Sequence, residues 1–291
     1  MTPDLTAGTL RLALPKGRMQ DGVLTLLADA GMPVRASVRA YRPTIAAGNF
    51  NAKILKPQNI IEMLAADSRD IGFAGADWVA ELGVDVVELL DTGLDPVRLV
   101  AAAPASLLDD GQLPSRRLTI ASEYPRLSAM WVRDTNLDAH VVRSFGATEV
   151  FPPEDADMIV DNTATGSTLA ANGLEIVATL LTSSTRLYAN PRALVDPSRR
   201  AAIDGFTMLL ASVLAARSRV MFEVNVSAAQ LEAVCAVLPC MREPTIASLH
   251  GDAGFAVKAA VSRALLPELI PRVKALGGSD IVIAALSQIV P

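Results

Sequence analysis

Short strand-like runs of apolar residues alternate, along the first quarter of the chain, with segments whose apolar residues recur at helical spacing. Residues 10–14 predict a strand that ends at the turn of residues 15–18, and residues 19–30 predict a helix. A second helix is expected from Pro57, and residues 71–74 follow as a short buried strand. This alternation of strand and helix indicates an α/β fold.

The same pattern continues through the middle of the chain, with one break-rich stretch at residues 104–114. Further strands are predicted at residues 84–89, 97–103, 118–121, 139–142 and 158–160, and helices near residues 127–134 and 198–218. Two more β-rich runs lie within residues 174–189. Repeated βα units predict a mostly parallel sheet with helices on both faces and ligands at the carboxyl ends of the strands.

The last part of the chain reads as a separate βαββαβ module. Strands are predicted at residues 220–226, 245–249, 255–261 and 281–286, with one helix capped by Ser227 and another over residues 263–276. This order predicts a ferredoxin-like domain.

Residues 156–169 carry the clearest chemical signal. An apolar strand ends there on Asp161, and a loop of small hydroxyl-rich residues follows, in which Gly166 takes a positive φ at little cost. The loop offers backbone N–H groups, and a helical turn over residues 169–172 would point its positive end at the same place. These features favour a phosphorylated sugar, with Asp161 accepting hydrogen bonds from ribose hydroxyls. A polar turn with threonine capping is the alternative.

Composition excludes several classes of protein. Hydrophobic residues make up 51% of the 291 residues and aromatic residues only 4%, and no apolar run approaches the roughly 20 residues of a membrane helix. No secretory leader is recognisable, so we expect a cytoplasmic protein. Cys235 and Cys240 are expected in one helical segment as ordinary thiols, and His140 and His250 have no metal-ligand spacing, so both histidines are expected to be structural.

Charge is segregated along the chain although the formal net charge is only −5. Residues 11–56 contain two acids and eight bases, namely Arg11, Lys16, Arg18, Arg35, Arg39, Arg42, Lys53 and Lys56. This local excess predicts a polyanionic ligand, and a solvated charged face is the alternative. The acidic whole chain with few aromatic residues does not favour nucleic acid. The chain also lacks the Gly-rich fingerprints of dinucleotide-binding folds and P-loop ATPases.

Several segments, in order, resemble the long form of ATP phosphoribosyltransferase, the first enzyme of histidine biosynthesis. They are residues 10–18 (Leu-Arg-Leu-Ala-Leu-Pro-Lys-Gly-Arg), 70–77 (Asp-Ile-Gly-Phe-Ala-Gly-Ala-Asp), 121–125 (Ala-Ser-Glu-Tyr-Pro), 146–150 and 161–174. The C-terminal module is similar to the family's regulatory domain, which binds histidine as a feedback inhibitor. The sequence departs from the family pattern at Lys56, Asn59, Glu154 and Asn162, and the lysine at position 56 keeps charge but loses bidentate phosphate geometry.

The resemblance implies a two-lobed catalytic body like the type II periplasmic binding proteins, followed by a ferredoxin-like or ACT-like regulatory domain. Lobe I is expected at residues 1–96 and 186–217, lobe II at residues 97–185 and the regulatory domain at residues 218–291. It also implies transfer of the phosphoribosyl group from phosphoribosyl pyrophosphate to N1 of ATP, assisted by Mg²⁺, in a homo-oligomer between dimer and hexamer.

The site residues follow from the same comparison. Phosphoribosyl pyrophosphate is expected on Asp161, Asn162, Thr163, Ala164, Thr165, Gly166, Ser167 and Thr168, with Glu123 as a second ribose contact. ATP or pyrophosphate is expected on Lys16, Gly17, Arg18, Lys56 and Asp70, and histidine on Thr245, Ser248 and Gly278. Asp161, Glu123, Lys16 and Arg18 are the expected catalytic residues. Another phosphoribosyltransferase and a non-catalytic two-lobed solute-binding protein are the alternatives.

Overall fold

A computed structural model describes residues 9–35, 41–47, 49–241 and 243–290. The chain divides into two compact units, which are described separately. Unit 1 comprises Met1–Ala28 and Met32–Thr207, and unit 2 comprises Asp29–Gly31 and Met208–Pro291. In the part of the chain that the structure describes, no helix combines the length and apolar character needed to cross a bilayer.

Unit 1 contains ten of the strands and most of the helices of the described residues. The strands are β1 (Leu10–Pro15), β2 (Val34–Arg35), β3 (Thr44–Ile45), β4 (Phe50–Leu55), β5 (Ile71–Gly75), β6 (Val87–Pro104), β7 (Leu118–Ser122), β8 (Ala139–Arg143), β9 (Met158–Thr163) and β10 (Leu174–Ala189). The helices are α1 (Met19–Asp29), α2 (Pro57–Ala65), α3 (Ala76–Leu82), α4 (Pro125–Asp134) and α5 (Ser167–Ala171), and α6 (Pro197–Arg217) runs past the limit of the unit.

The main sheet of unit 1 has eight strands in the order β4-β1-β5-β10-β6-β9-β7-β8. Three parallel strands at one end (β4-β1-β5) and three at the other (β9-β7-β8) make the two lobes. The antiparallel pair β6 and β10 joins them, and each of these strands is also antiparallel to the lobe that it contacts. The α/β fold class is confirmed, and four of the seven pairings in this sheet are parallel, but the antiparallel pairings at its centre are not expected from the sequence.

The unexpected antiparallel pairings all involve the two central strands, β6 and β10. The sequence pattern predicts separate strands at residues 84–89 and 97–103 and two β-rich runs within residues 174–189. The structure has one long strand, Val87–Pro104, in place of the first two and one, Leu174–Ala189, in place of the others. Repeated register shifts in their pairing interrupt the alternation of buried and exposed positions, which makes one strand look like two in the sequence. Because both strands run through both lobes, they set the position of one lobe against the other.

Close packing positions the parallel strands of lobe I. Helix α2 buries Ile60, Ile61 and Leu64 against the sheet, as its apolar spacing predicts. A Cβ atom at Gly72 of β5 would lie 2.5 Å from Cγ2 of Ile60, so only glycine fits between strand and helix there. Helix and strand therefore meet too closely for any larger residue.

Unit 2 contains the predicted βαββαβ module. Its elements are β11 (Arg219–Val226), α7 (Leu231–Val237), β12 (Thr245–Ser248), β13 (Phe255–Ser262), α8 (Leu266–Ala275) and β14 (Ser279–Ala285). The strands are antiparallel in the order β12-β13-β11-β14, and Val220, Phe222 and Val224 of β11 lie in its core. This order confirms the ferredoxin-like domain.

Two details of unit 2 differ from expectation. Helix α7 begins at Leu231, after Gln230, and the Ser227 hydroxyl donates to the Gln230 side chain, so Ser227 does not cap the helix. Cys235 lies in α7, but Cys240 follows it and forms an isolated bridge with Val261, so the two cysteines do not share a helix. Both thiols are free, as expected.

Candidate active site

The loop between β9 and α5 has the conformation that its sequence predicts. Gly166 adopts a φ of +83°, and its N–H group donates to the Thr163 hydroxyl at 2.9 Å. The hydroxyls of Thr165 and Ser167 lie 2.9 Å apart, and the Ser167 N–H group donates to Thr165 Oγ1. The loop is therefore held by its own side chains in a tight turn at the carboxyl end of β9.

Several backbone donors in this loop remain free. Among the described residues, no acceptor takes a hydrogen bond from the N–H groups of Ala164, Thr165 or Thr168. Helix α5 has only five residues, so these unpaired amides, rather than a long helix dipole, provide the attraction for an anion. These three N–H groups are therefore available to an anionic ligand.

The carboxyl group of Asp161 lies beside this loop. Burial raises the pKa of Asp161 to about 6, and the negative charges of Glu123 and Glu149 add to the rise. Hydrogen bonds from the Asn162 N–H group, at 2.6 Å, and from the Thr148 hydroxyl oppose it. The site thus holds a carboxylate whose ionised form is poorly solvated, and which a hydroxyl donor or a cation would stabilise.

These groups line one cavity of about 460 Å³, which we call the sugar cavity. It is lined by Arg18, Glu123, Gly146, Ala147, Glu149, Asp161, Asn162, Thr163, Ala164, Thr165, Ser167 and Thr168. All the residues expected to bind phosphoribosyl pyrophosphate are in this set except Gly166, whose missing side chain would point towards Ile176. Gly166 therefore acts on the cavity through the conformation of the loop.

A second cavity of about 340 Å³, which we call the base cavity, has a more apolar lining. It is lined by Lys16, Arg18, Met19, Pro57, Gln58, Trp78, Glu123 and Asn162. Arg18, Glu123 and Asn162 line both cavities, so the two adjoin. Flat apolar surfaces next to basic side chains suit a nucleotide, whose base is apolar on its faces and whose phosphates are anionic.

The basic turn after β1 contributes two of these cations. Gly17 has a φ of +91° and no atom near the position of a Cβ, so the backbone is open to close approach. The Lys16 ammonium lies 3.2 Å from the Tyr41 hydroxyl and 5.1 Å from the centre of its ring. Arg18 has no ion-pair partner among the described residues. Its charge is therefore available to a ligand of either cavity.

A buried polar network that the sequence did not reveal lies behind the base cavity. The Tyr124 hydroxyl donates to Asp77 at 2.6 Å and accepts from the Asn162 amide at 2.8 Å, and the Ser183 hydroxyl donates to Asp77 at 2.6 Å. The Trp78 ring stacks on Tyr124 with centroids 4.5 Å apart. Burial and the Asp77 carboxylate raise the pKa of Tyr124, so the phenol stays protonated.

No local pattern could have identified this network, because its members lie 38 to 106 positions apart in the chain. Asp77 and Tyr124 are in segments that carry the family resemblance, but the sequence analysis gives neither a role. The network joins helix α3, strands β9 and β10, and Tyr124, which lies between β7 and α4. It therefore fixes side chains on both sides of the adjoining cavities.

Asp70 lies away from these cavities. It precedes β5, whereas the Lys16 turn follows β1, so the two are at opposite ends of parallel strands. The Asp70 side chain is buried, with the residue 0% exposed. Its carboxylate accepts two hydrogen bonds from the Arg11 guanidinium and one from the Arg11 backbone N–H group, and it lies 3.4 Å from the Arg199 guanidinium. The ion pair with Arg11 accounts for this buried carboxylate, and Asp70 lines neither cavity.

The other basic residues of the segment 11–56 differ in where they lie relative to the two cavities. Lys56 is exposed at the start of α2, next to the Lys16 turn, but does not line either cavity. The Lys53 pKa is lowered by the nearby charge of Arg69 and, to a lesser degree, by Arg42. Arg39 lies outside the described residues. Only part of the basic excess in the sequence therefore faces the cavities.

The three residues expected to bind histidine differ in their surroundings. Thr245 lines a cavity of about 740 Å³ in unit 2, together with Lys258, Met221 and others. Ser248 is exposed and lies outside this lining. A Cβ at the buried Gly278 would lie 2.6 Å from Cγ1 of Val273, so packing explains that glycine. Of the three residues, Thr245 is the one that lines this cavity.

The acidic side chains of the sugar cavity agree with a metal shared with substrate. Within the described ranges, no group of three or more His, Cys, Asp or Glu side chains is arranged to enclose a metal ion. Mg²⁺ is commonly held by one or two carboxylates plus substrate phosphates. Asp161 and Glu123 fit that pattern and could hold such an ion once phosphates are present.

Two family models and several curated relatives match the chain. Residues 56–212 match the family model described as "ATP phosphoribosyltransferase", and residues 216–288 match the one described as "HisG, C-terminal domain". The ATP phosphoribosyltransferase of Pelotomaculum thermopropionicum is 34% identical over 289 residues, covering 97% of this chain and 99% of the relative. That of Prosthecochloris aestuarii is 36% identical over 277 residues, covering 94% of each.

A solved structure resembles the chain as well. It is the ATP phosphoribosyl transferase (HisG:HisZ) complex from Thermotoga maritima, with a TM-score of 0.61 and 25% identity over 69% of this chain and 96% of that chain. The family model spans more than half of the sequence, and the curated relatives align along nearly all of it. The chain belongs to the ATP phosphoribosyltransferase family.

Proposed function

We propose that this chain transfers the phosphoribosyl group of phosphoribosyl pyrophosphate to N1 of the adenine of ATP, giving phosphoribosyl-ATP and pyrophosphate in the first step of histidine biosynthesis. The observation that carries the proposal is the junction of two cavities. One has free backbone amides and a carboxylate suited to a sugar phosphate, and the other has apolar walls and cations suited to a nucleotide. Two substrates must meet for this reaction, and these cavities share three residues.

In the sugar cavity, the 5-phosphate binds the loop of Thr163–Thr168, where the free N–H groups satisfy its oxygens. Asp161 accepts hydrogen bonds from the ribose hydroxyls, with Glu123 as the second acceptor. Both carboxylates also stabilise the positive charge that develops on the ribosyl ring as pyrophosphate leaves. Ionised Asp161 is the form that does this.

In the base cavity, Trp78 and Pro57 provide apolar walls for the adenine. Lys16 and Arg18 bind the phosphates of ATP or the departing pyrophosphate, and Gly17 lets those phosphates approach the backbone. Lys56 extends this positive region at the start of α2. The lysine at position 56 keeps the positive charge but loses the bidentate phosphate geometry of an arginine.

The reaction needs no nucleophile from the protein, because N1 of adenine supplies the electron pair. The bond between N1 and C1 of the ribose forms while the bond from C1 to pyrophosphate breaks. The protein contributes alignment of two polyanions and stabilisation of the leaving group. Mg²⁺, when bound, neutralises phosphate charge, and Asp161 and Glu123 are the side chains that could share it.

Regulation and assembly are part of the proposal. The ferredoxin-like unit 2 is proposed to bind histidine as an inhibitor, and Thr245 is the residue of the expected set that we retain there. We further propose that the catalytic body divides into lobe I at residues 1–96 and 186–217 and lobe II at residues 97–185. We also propose a cytoplasmic homo-oligomer between dimer and hexamer.

One assay tests the reaction. Purified protein is mixed with ATP, phosphoribosyl pyrophosphate and Mg²⁺, and the N1 adduct is followed by absorbance and mass, with and without histidine. Adduct and pyrophosphate in equal amounts are the expected result. No adduct with ATP, but transfer to another base, would identify a different phosphoribosyltransferase. Tight binding without any product would identify a solute-binding protein.

A further inference from the structure

Asn162 occupies the point where the sugar and base cavities meet. It lines both cavities, and it follows Asp161 directly in β9. A polar side chain at this junction therefore calls for a specific explanation.

The buried network determines which end of the Asn162 amide faces the cavities. Asp77 is 2% exposed and receives hydrogen bonds from the hydroxyls of Ser183 and Tyr124, each at 2.6 Å. Because the Tyr124 proton is used by Asp77, the phenol oxygen can only accept from Asn162, which must present its NH₂ group. Because each donor in this network has a defined acceptor, the oxygen and nitrogen atoms of the Asn162 amide can be told apart.

The carbonyl end of the amide is consequently left for a ligand. Asn162 Oδ1 has no hydrogen-bond partner among the described residues, and it is not among their buried unpaired atoms. It is an accessible acceptor at the junction of the cavities. The Tyr124 side chain is itself held firmly, since the Tyr124 N–H group donates to Ser122 Oγ at 2.8 Å and its ring stacks on Trp78.

We infer that Asn162 Oδ1 accepts a hydrogen bond from the exocyclic amino group of the adenine and so selects a 6-aminopurine at this site. The inference rests on the proposed function and deepens it. In adenine the amino group on C6 is adjacent to N1, the reacting atom. An acceptor one residue from Asp161, which holds the ribose, is placed to bring N1 towards C1. An aliphatic residue in this position could not make that contact.

The network gives Tyr124 a positioning role in the same selection. Without its hydroxyl, the Asn162 amide would lose the partner that fixes its orientation, and either end could face the base. Tyr124→Phe keeps the ring and its stacking on Trp78 but removes this constraint. It should therefore weaken selection without removing the acceptor.

The test compares ATP with purine riboside 5′-triphosphate, which keeps N1 but has hydrogen in place of the amino group. For each protein, kcat/KM is measured with both nucleotides at one concentration of phosphoribosyl pyrophosphate, and the dissociation constants are measured by calorimetry. The ratio for ATP over the analogue is the readout, because the intrinsic reactivity of each base and any effect on the sugar substrate cancel when variants are compared.

In Asn162→Leu the ratio should fall about tenfold in both measurements, as expected for the loss of one sheltered hydrogen bond. Tyr124→Phe should give a smaller fall. The control Asn225→Leu removes an amide in unit 2, where Asn225 contacts Asp280, and should leave the ratio unchanged. Melting temperatures establish that each variant is folded.

An Asn162→Leu protein that is folded and discriminates as the wild type does would overturn the inference while leaving the proposed function intact. A fall in both kcat/KM values with an unchanged ratio would also overturn it, since it would reduce Asn162 to a packing role. If the wild type forms no adduct, the proposed function fails, and the ratio of dissociation constants still decides whether Asn162 recognises the amino group.

Discussion

Replacing Asp161 with asparagine should make the protein more stable at neutral pH while abolishing transfer. Burial, with help from Glu123 and Glu149, raises the pKa of this carboxyl from its ordinary 3.8 to about 6. A proton is therefore held more tightly in the folded than in the unfolded protein. Stability falls as pH rises from about 4 through 6, because ionisation of Asp161 costs more in the folded state.

The size of the effect follows from the two pKa values. A rise from 3.8 to about 6 corresponds to about 3 kcal/mol of unfolding free energy, lost once both states are ionised. An asparagine side chain at this position would not titrate, but it would also accept fewer hydrogen bonds from Asn162 and Thr148. We therefore expect Asp161→Asn to be more stable than the wild type by about 1–3 kcal/mol above pH 7, and by little or nothing near pH 4.

The assay is urea unfolding between about pH 4 and pH 8, followed by the fluorescence of Trp78 and Trp131, which both lie in unit 1. Asp157→Asn is the matched control. Arg116 lowers the pKa of Asp157, so the stability that this pair contributes is present above about pH 4 and is lost only below it. The control should be destabilised almost evenly over this range.

If the unfolding free energies of the wild type and Asp161→Asn change with pH in parallel, the reasoning is refuted, because no raised pKa at position 161 would then be coupled to folding. Full transfer activity in Asp161→Asn would refute the assigned role of the carboxylate. The expected combination, higher stability with activity reduced at least a hundredfold, would identify Asp161 as a group kept for function at the expense of stability.

Three further predictions concern other residues. Gly166→Val should abolish transfer in a folded protein, because valine at a φ of +83° disturbs the phosphate loop. Gly173→Val places the same strain at a φ of +70° but outside the loop of residues 163–168, and it should keep turnover. Normal activity in Gly166→Val would contradict the loop assignment. Asp70→Ala should lower the unfolding free energy, measured in urea, by about 2–3 kcal/mol through loss of the Arg11 pair, and it should leave the KM for ATP unchanged. Unchanged stability with a raised KM for ATP would instead place Asp70 in the ATP site. Truncation after Arg217 should remove inhibition by histidine in an active, folded protein, and a truncated enzyme that histidine still inhibits would place the effector site outside residues 218–291.

Local patterns in the sequence predicted most of the helices and strands and the loop that lines the sugar cavity. The strand, loop and glycine around Asp161 depend on neighbours within a few residues, and the same is true of the basic turn after β1. The βαββαβ order could likewise be read from successive apolar patterns. In each of these cases the period of the apolar residues and the local turn chemistry decide the structure.

Long-range arrangement could not be read in this way. Bulges broke the pattern of β6 and β10, so their antiparallel course through both lobes was missed. The partners of Tyr124 lie 47 and 38 positions away, and Asp70 is paired with Arg11 from 59 positions away. Only the folded chain shows that Asp77 supports the site and that Asp70 lies apart from it.

The central claim is that free main-chain amides after Asp161 bind the terminal phosphate of the sugar substrate. Its most direct test is a crystal structure of the protein with phosphoribosyl pyrophosphate and Mg²⁺. The account predicts 5-phosphate oxygens about 2.7–3.2 Å from the amide nitrogens of Ala164, Thr165 and Thr168, with the Asp161 carboxylate on the ribose hydroxyls. A substrate bound elsewhere, with this loop empty, would contradict it.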